Sequence, residues 1–233
     1  MPRELRALTS MAPREVLVEA AALYRREAAT RIEVQSAGGI DVARRIATGE
    51  AVDIVVLASD AIDKLIAAEK LLSAGRIDLM ASDIAIGVPA GSSLPDVSDE
   101  QALQTLLLEA ESVSYSTGPS GQYLERLFER WGIVDQIRER IIIAPPGVPV
   151  AALIATGKAA LGFQQLSELI SVPGVAVAGL LPAAVQLRTT FCAGISPACE
   201  DFDEARRFLR FAASDALNET KKRLGMAPAG TRD

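Results

Sequence analysis

The sequence predicts an α/β fold built on a mainly parallel sheet, and three observations carry that reading. Short apolar runs alternate along the chain with amphipathic segments of helical period, the pattern of strand–helix–strand units. The run Ile54-Val55-Val56-Leu57 is apolar at every position, as strands covered on both faces are. Three helical patterns each stop at a glycine, Gly49, Gly132 and Gly157, where a left-handed residue ends a helix most cheaply.

Taken in order, Leu5 to Leu8 reads as a strand ending at Thr9-Ser10. Pro13 stands near the start of a helix that runs to Ala29, with Val16, Leu17, Ala20, Leu23 and Tyr24 on its apolar face. A strand over 32–35 leads into Ser36-Ala37-Gly38-Gly39, and 41–48 is helical. The strand over 53–57 precedes a helix over 61–70, capped by Ser59 or Asp60. Further strands are expected over 82–89, 112–115, 141–143, 160–164, 175–180 and 184–192. Helices are expected over 101–110, 123–131, 150–156, 203–214 and 216–224, with a short helical turn over 165–170 and a frayed tail after Met226.

The chain has 233 residues, room for one large α/β domain or two smaller lobes. Aromatics make up 4%, so the core is built from Ala, Val, Ile and Leu. The formal net charge of −6 comes with no basic patch, so no nucleic-acid partner is expected. The pairs Arg25-Arg26, Arg44-Arg45, Arg206-Arg207 and Lys221-Lys222 lie on helical segments among acids and read as solvated surface. No run of about 18 apolar residues occurs, so no membrane insertion is expected. The start Met1-Pro2-Arg3-Glu4-Leu5 has no apolar leader core, which fits a cytoplasmic protein, or a periplasmic one whose leader has been removed. Cys192 and Cys199 form one disulfide or stay as two buried thiols. With no histidine in the chain, neither a zinc site nor the commonest catalytic base is expected, and no cofactor is implied.

Two segments carry chemistry. Ser36-Ala37-Gly38-Gly39 and Ser116-Thr117-Gly118-Pro119-Ser120-Gly121 each follow a predicted strand and precede a predicted helix. Hydroxyls and glycines at such a junction let backbone N–H groups meet an anion at the positive end of a helix dipole. Two such junctions point to one small anion gripped from two sides. Each residue also has a plainer reading. Ser10 is a ligand contact or the cap of the first helix; Ser36 with Gly38 and Gly39, and Ser116 with Thr117, are ligand contacts or ordinary turns. Arg76 and Arg188 are carboxylate partners or structural ion pairs. The loop Pro145-Pro146-Gly147-Val148-Pro149 is a rigid connection or one wall of the site.

The order of these segments resembles the type II periplasmic solute-binding fold, in its molybdate-binding-protein-like branch. The residues that carry the resemblance are Leu8-Thr9-Ser10, Ser36 to Gly39, Ala47 to Ser59, Pro119 to Tyr123 and Gly157 to Phe163. It implies two lobes, 1–82 with 191–233 and 83–190, closing on an oxyanion held by serine hydroxyls and backbone amides. By position Ser10 and Ser36 match first-lobe ligands and Ser120 a second-lobe one. The ligand-binding set implied is Thr9, Ser10, Ser36, Gly38, Gly39, Ser116, Ser120, Gly121, Gln164 and Gln165. The branch's tyrosine is replaced here by Gly162-Phe163-Gln164-Gln165, which favours an organic acid over a metal oxyanion.

Two functions follow from the resemblance. One is capture of a small anion for delivery to an ABC-transporter permease. The other is isomerisation of a small tricarboxylate, as in the aconitate-isomerase-like proteins of the same branch, by an allylic proton shift. That reaction needs a base, and Glu168, Tyr115 and Tyr123 lie nearest the expected site in sequence. A ligand sensor is a third class.

Overall fold

The computed structural model describes residues 4–28, 30–145 and 147–230. Ala29, the expected last residue of the first helix, and Pro146 of the proline-rich loop lie outside the described residues, as do 1–3 and 231–233. The chain divides into two compact units, Met1–Ser82 with Thr189–Asp233, and Asp83–Arg188.

The first unit contains β1 (Glu4–Ser10), α1 (Arg14–Ala28), β2 (Arg31–Ala37), α2 (Gly39–Ala47), β3 (Ile54–Ala58), α3 (Ser59–Ala67) and the first part of β4 (Leu72–Pro89). The second unit continues with the rest of β4, α4 (Glu100–Glu109), β5 (Val113–Ser116), α5 (Pro119–Arg130), α6 (Val134–Ile137) and β6 (Ile141–Ala144). It is completed by α7 (Val150–Ala155), β7 (Leu161–Gln165), α8 (Leu166–Leu169) and β8 (Val175–Leu180). β9 (Arg188–Ile195) returns the chain to the first unit, which ends with α9 (Phe202–Ala213), α10 (Asn218–Arg223) and β10 (Ala227–Pro228).

In the first unit the sheet order is β2–β1–β3–β9–β4, with β10 on β4. β1 runs parallel to both β2 and β3, and β9 is antiparallel to β3. The unbroken apolar run of β3 is explained by helices on both faces. Ile54 and Val56 join Leu17, Tyr24, Phe208 and Leu209 in one cluster, while Val55 and Leu57 join Leu8, Val42, Ile46 and Ile62 in another. Each residue points opposite to its neighbour, and both directions are dry.

The second unit repeats the plan with the order β6–β5–β7–β4–β8. β5 is parallel to β6 and β7, and β4 is antiparallel to β7 and β8. Leu161 and Phe163 of β7 pack with Tyr115, Leu124 and Phe128 on one face. Val150, Ile154 and Leu169 fill the other.

The structure departs from the sequence reading in several places. β4 begins ten residues before the expected strand, at Leu72 rather than Ser82. Its early part is polar, but Gly75 lets β9 approach so closely that a β carbon there would lie 2.7 Å from Cβ of Ile195. α3 begins at Ser59, with Ala58 as its cap, so neither Ser59 nor Asp60 caps it. α6 was not expected, and residues 183–185 form a 3-10 turn rather than the start of β9. Ala227-Pro228 pairs with β4 instead of fraying. Both cysteines are free thiols.

Candidate anion-binding site

In the first unit, three parallel strands end at one sheet edge, each followed by a loop or helix. β1 ends at Ser10, β2 at Ala37 and β3 at Ala58. Two helices begin there, α2 behind Gly38 and α3 behind Ala58, and neither N-terminus is capped by a side chain. The first helical bond of α2 runs from Val42 N–H to Gly38 C=O at 2.9 Å, so the N–H groups of Gly39, Ile40 and Asp41 precede the ladder and have no acceptor within the helix. Of the other helices, α4 and α9 carry aspartate caps, while α6, α7, α8 and α10 also begin without a side-chain cap. Asp99 accepts from Ala102 N–H at 2.8 Å, and Asp201 from Glu204 N–H at 3.1 Å.

Ser10 is 8% exposed, and among the described residues its Oγ has no hydrogen-bond partner. A buried hydroxyl without a partner is costly. A β carbon on Gly39 would lie 3.6 Å from the Ser10 Cβ, so the hydroxyl stands at the start of α2. Gly38 has φ −60° and ψ 139°, ordinary for any residue, and a β carbon there would meet nothing within 4 Å. Backbone strain and packing do not require glycine at 38, which serves as the N-cap of α2, where glycine is favoured over alanine.

The register separates the remaining first-unit candidates. Ser10 pairs with Ala37, and Thr9 with Ser36. Alternation therefore places Ser10 on the α2 face and Ser36, half-buried, on the opposite face at the same edge. Thr9 is fully buried, and its hydroxyl donates to Val56 C=O at 3.2 Å, tying β1 to β3.

In the second unit β5 ends at Ser116, β6 at Ala144 and β7 at Gln165, again at one edge of parallel strands. α5 begins behind Gly118 without a side-chain cap and with Pro at its first position. Its first helical bond runs from Gln122 N–H to Gly118 C=O at 3.0 Å, so the N–H groups of Ser120 and Gly121 precede the ladder. Ser116 Oγ accepts a long bond from Gly118 N–H at 3.4 Å, which sets the turn. Packing accounts for glycine at 121: a β carbon there would fall 1.6 Å from the Ser116 carbonyl oxygen.

Both glutamines are buried on β7. The Gln164 amide is engaged at both ends within the unit. Its Oε1 accepts from Ala151 N–H at 3.0 Å, capping α7 from a distance, and its Nε2 donates to Glu168 Oε1 at 2.9 Å. Glu168 is the third residue of α8. Its carboxylate also accepts from the Gln165 backbone N–H, the returning half of a capping box, and burial pushes its pKa up to about 7.

The other groups singled out from sequence have structural partners. Arg76 pairs with Asp63 at 2.6 Å and Asp78 at 2.7 Å, and Arg188 with Asp83 at 3.5 Å. Tyr115 packs edge-on against Phe128, and burial pushes its hydroxyl up to about 12. Tyr123 donates to Val185 C=O at 2.8 Å. Among the described residues no group of three or more Cys, Asp or Glu side chains is arranged to hold a metal ion, and no helix is long and apolar enough to cross a membrane.

The fold and these junctions define a solute-binding protein. Residues 5–227 match the family of bacterial extracellular solute-binding proteins, and the chain belongs to that family. An aconitate isomerase from a Pseudomonas species is 33% identical over 216 residues, covering 90% of this chain and 82% of the relative. The periplasmic molybdate-binding protein of Azotobacter vinelandii has a similar structure, with a TM-score of 0.80 at 19% identity over 96% of this chain and 98% of that one. The sulfate-binding protein SubI of Mycobacterium tuberculosis gives 0.78 at 14% identity over 98% and 88%. PEB3, a protein of Campylobacter jejuni, in its form bound to L-phospholactate gives 0.73 at 16% identity over 96% and 99%. The fold is the one these periplasmic binding proteins share.

Proposed function

We propose that the chain binds a small polycarboxylate. The observation that carries this reading is the buried Ser10 hydroxyl, which has no partner among the described residues and stands at the uncapped start of α2. α2, α3 and α5 begin without side-chain caps at the C-terminal edges of parallel strands. An anion supplies the acceptors that the uncapped turns lack. In the first unit the donors offered to an anion are Ser10 Oγ and the N–H groups of Gly39 and Ile40, with Ser36 at the same strand edge on the opposite face and Gly38 leaving room for its approach. The second unit, taken by itself, offers the N–H groups of Ser120 and Gly121, beside Ser116. Gln165 lies at the same edge. Thr9 and Gln164 support the site from behind, because their polar groups are already engaged.

Ile40, 55% exposed in the first turn of α2, offers apolar contact to a carbon skeleton beside these donors. That favours an organic acid over a compact metal oxyanion. Delivery to an ABC-transporter permease outside the cytoplasm is the transport form of this reading, supported by the family.

A second reading is favoured by one specific observation, the 33% identity to an aconitate isomerase over nine-tenths of the chain. On this reading the bound polycarboxylate is aconitate, and the protein moves its double bond. Mixing the protein with cis-aconitate and following the trans isomer by proton NMR tests it. Turnover establishes the isomerase, and tight binding without turnover leaves transport.

A further inference from the structure

Resting on the isomerase reading, we infer that Glu168 is the residue that carries the proton in the allylic shift, and that Gln164 positions its carboxylate. The geometry is specific. The Gln164 amide is fixed at its oxygen by Ala151 N–H, 3.0 Å away, so its Nε2 is aimed at Glu168 Oε1, 2.9 Å away. Glu168 lies in α8, which follows the end of β7 directly. The parallel register that pairs Ser114 with Gly162 puts Ser116 level with Gln164, so Glu168 shares a sheet edge with the Ser116–Gly121 donors.

The surroundings leave this carboxylate without a counter-charge. β7 and β8 pack against α8, and neither contains a charged residue, nor does α7. Leu169 of the same helix packs with Val150 and Ile154. On β4, the strand paired with β7, Asp83 is already ion-paired with Arg188 at 3.5 Å. A carboxylate held only by neutral donors in apolar surroundings is an expensive way to close a helix turn, and an apolar residue packs there at lower cost. Beside it, Ser167 Oγ is buried with no partner among the described residues. Of the other candidate bases, burial pushes the Tyr115 hydroxyl up to about 12 and raises that of Tyr123 as well.

The step balances without a cofactor. The Glu168 carboxylate takes a proton from the methylene carbon of cis-aconitate, and that C–H bond breaks. Its electron pair forms the new double bond to the central carbon, while the old double bond's pair moves onto the former vinyl carbon and its carboxylate. Glu168 then returns the proton to the former vinyl carbon. The double bond has moved by one bond, and the residue ends as it began. A group that titrates near pH 7 serves both halves of such a transfer.

The test uses the full chain, cis-aconitate and proton NMR, with trans-aconitate affinity measured by calorimetry. Glu168→Gln is expected to slow isomerisation by about 10²-fold or more while trans-aconitate affinity stays within about 3-fold, well under the tenfold that 1.4 kcal/mol represents. Gln164→Leu removes the donor that favours the ionised form, so the rising limb of its rate–pH profile moves to higher pH than in wild type. A merely structural role for Gln164 would not move that limb. A Glu168→Gln chain that turns over at the wild-type rate overturns this inference and leaves the isomerase reading standing. A wild-type chain that binds trans-aconitate without isomerising either isomer overturns both. Should Glu168→Gln not fold, the wild-type profile decides: a limb near pH 7 supports Glu168, and a rate flat from about pH 5 to 9 overturns it.

Discussion

Ser10 and Gly39 meet at the C-terminal edge of the first unit's parallel strands, with the serine Cβ 3.6 Å from where a β carbon on Gly39 would stand. The serine hydroxyl is buried there without a partner, at the uncapped start of α2. A structural hydroxyl would be satisfied by the fold itself. On the proposed reading the bound ligand supplies its missing partner.

Ser10→Ala therefore separates binding from stability. Removing a buried hydroxyl that has no partner relieves a desolvation cost, so the ligand-free protein should melt at the same temperature as wild type or higher. Removing a donor to a buried anion should weaken polycarboxylate binding by about 1–3 kcal/mol, roughly 5- to 150-fold. Thermal unfolding and calorimetry on the same two samples check both signs.

Two glycines at the two helix starts should behave oppositely. At Gly38 the backbone is unstrained and the space is open, so Gly38→Ala should change stability by no more than about 1 kcal/mol, the poorer cap offset by a less flexible unfolded chain. It should still weaken ligand binding by crowding the approach to the backbone. Gly121→Ala drives a methyl into the Ser116 carbonyl and should cost about 3 kcal/mol or more. Denaturant midpoints measured alongside ligand affinity distinguish the two.

Asp99→Ala serves as a contrast. It removes a real cap, the 2.8 Å bond to Ala102 N–H, and should destabilise the protein by about 1 kcal/mol. Affinity for the polycarboxylate should be unchanged.

Much of the fold was legible in local pattern. The apolar run of β3 announced a strand buried on both faces, and Gly49, Gly132 and Gly157, with φ of 95°, 68° and 70°, ended α2, α5 and α7 as their positions implied. The start of β4 was not legible, because its polar residues become a strand only through pairing with β9, more than a hundred residues away. The candidate site was legible as two Ser-Gly junctions, since hydroxyl and glycine spacing is a local signal. The separation of roles within it was not. Thr9 and Ser10 read alike in sequence, yet one donates to Val56 and the other has no partner among the described residues. Gln164 read as a ligand donor because nothing local shows that Ala151 and Glu168 engage both ends of its amide.

The half-buried Glu168 should also leave a mark on stability. Its pKa rises from 4.5 to about 7 on folding, so between those values the native state binds more protons than the unfolded chain. Its contribution is present in full below about pH 4.5 and is lost as pH rises through 7. Melting temperatures at pH 5 and pH 8 should therefore differ less in Glu168→Gln than in wild type.

The most direct measurement is calorimetric titration of the wild-type chain with cis-aconitate, trans-aconitate, citrate, molybdate and sulfate at one ionic strength. At least one of the three carboxylates should bind about ten-fold or more tighter than molybdate and sulfate, a gap of about 1.4 kcal/mol. A chain that binds molybdate or sulfate more tightly than any of the carboxylates contradicts the polycarboxylate reading.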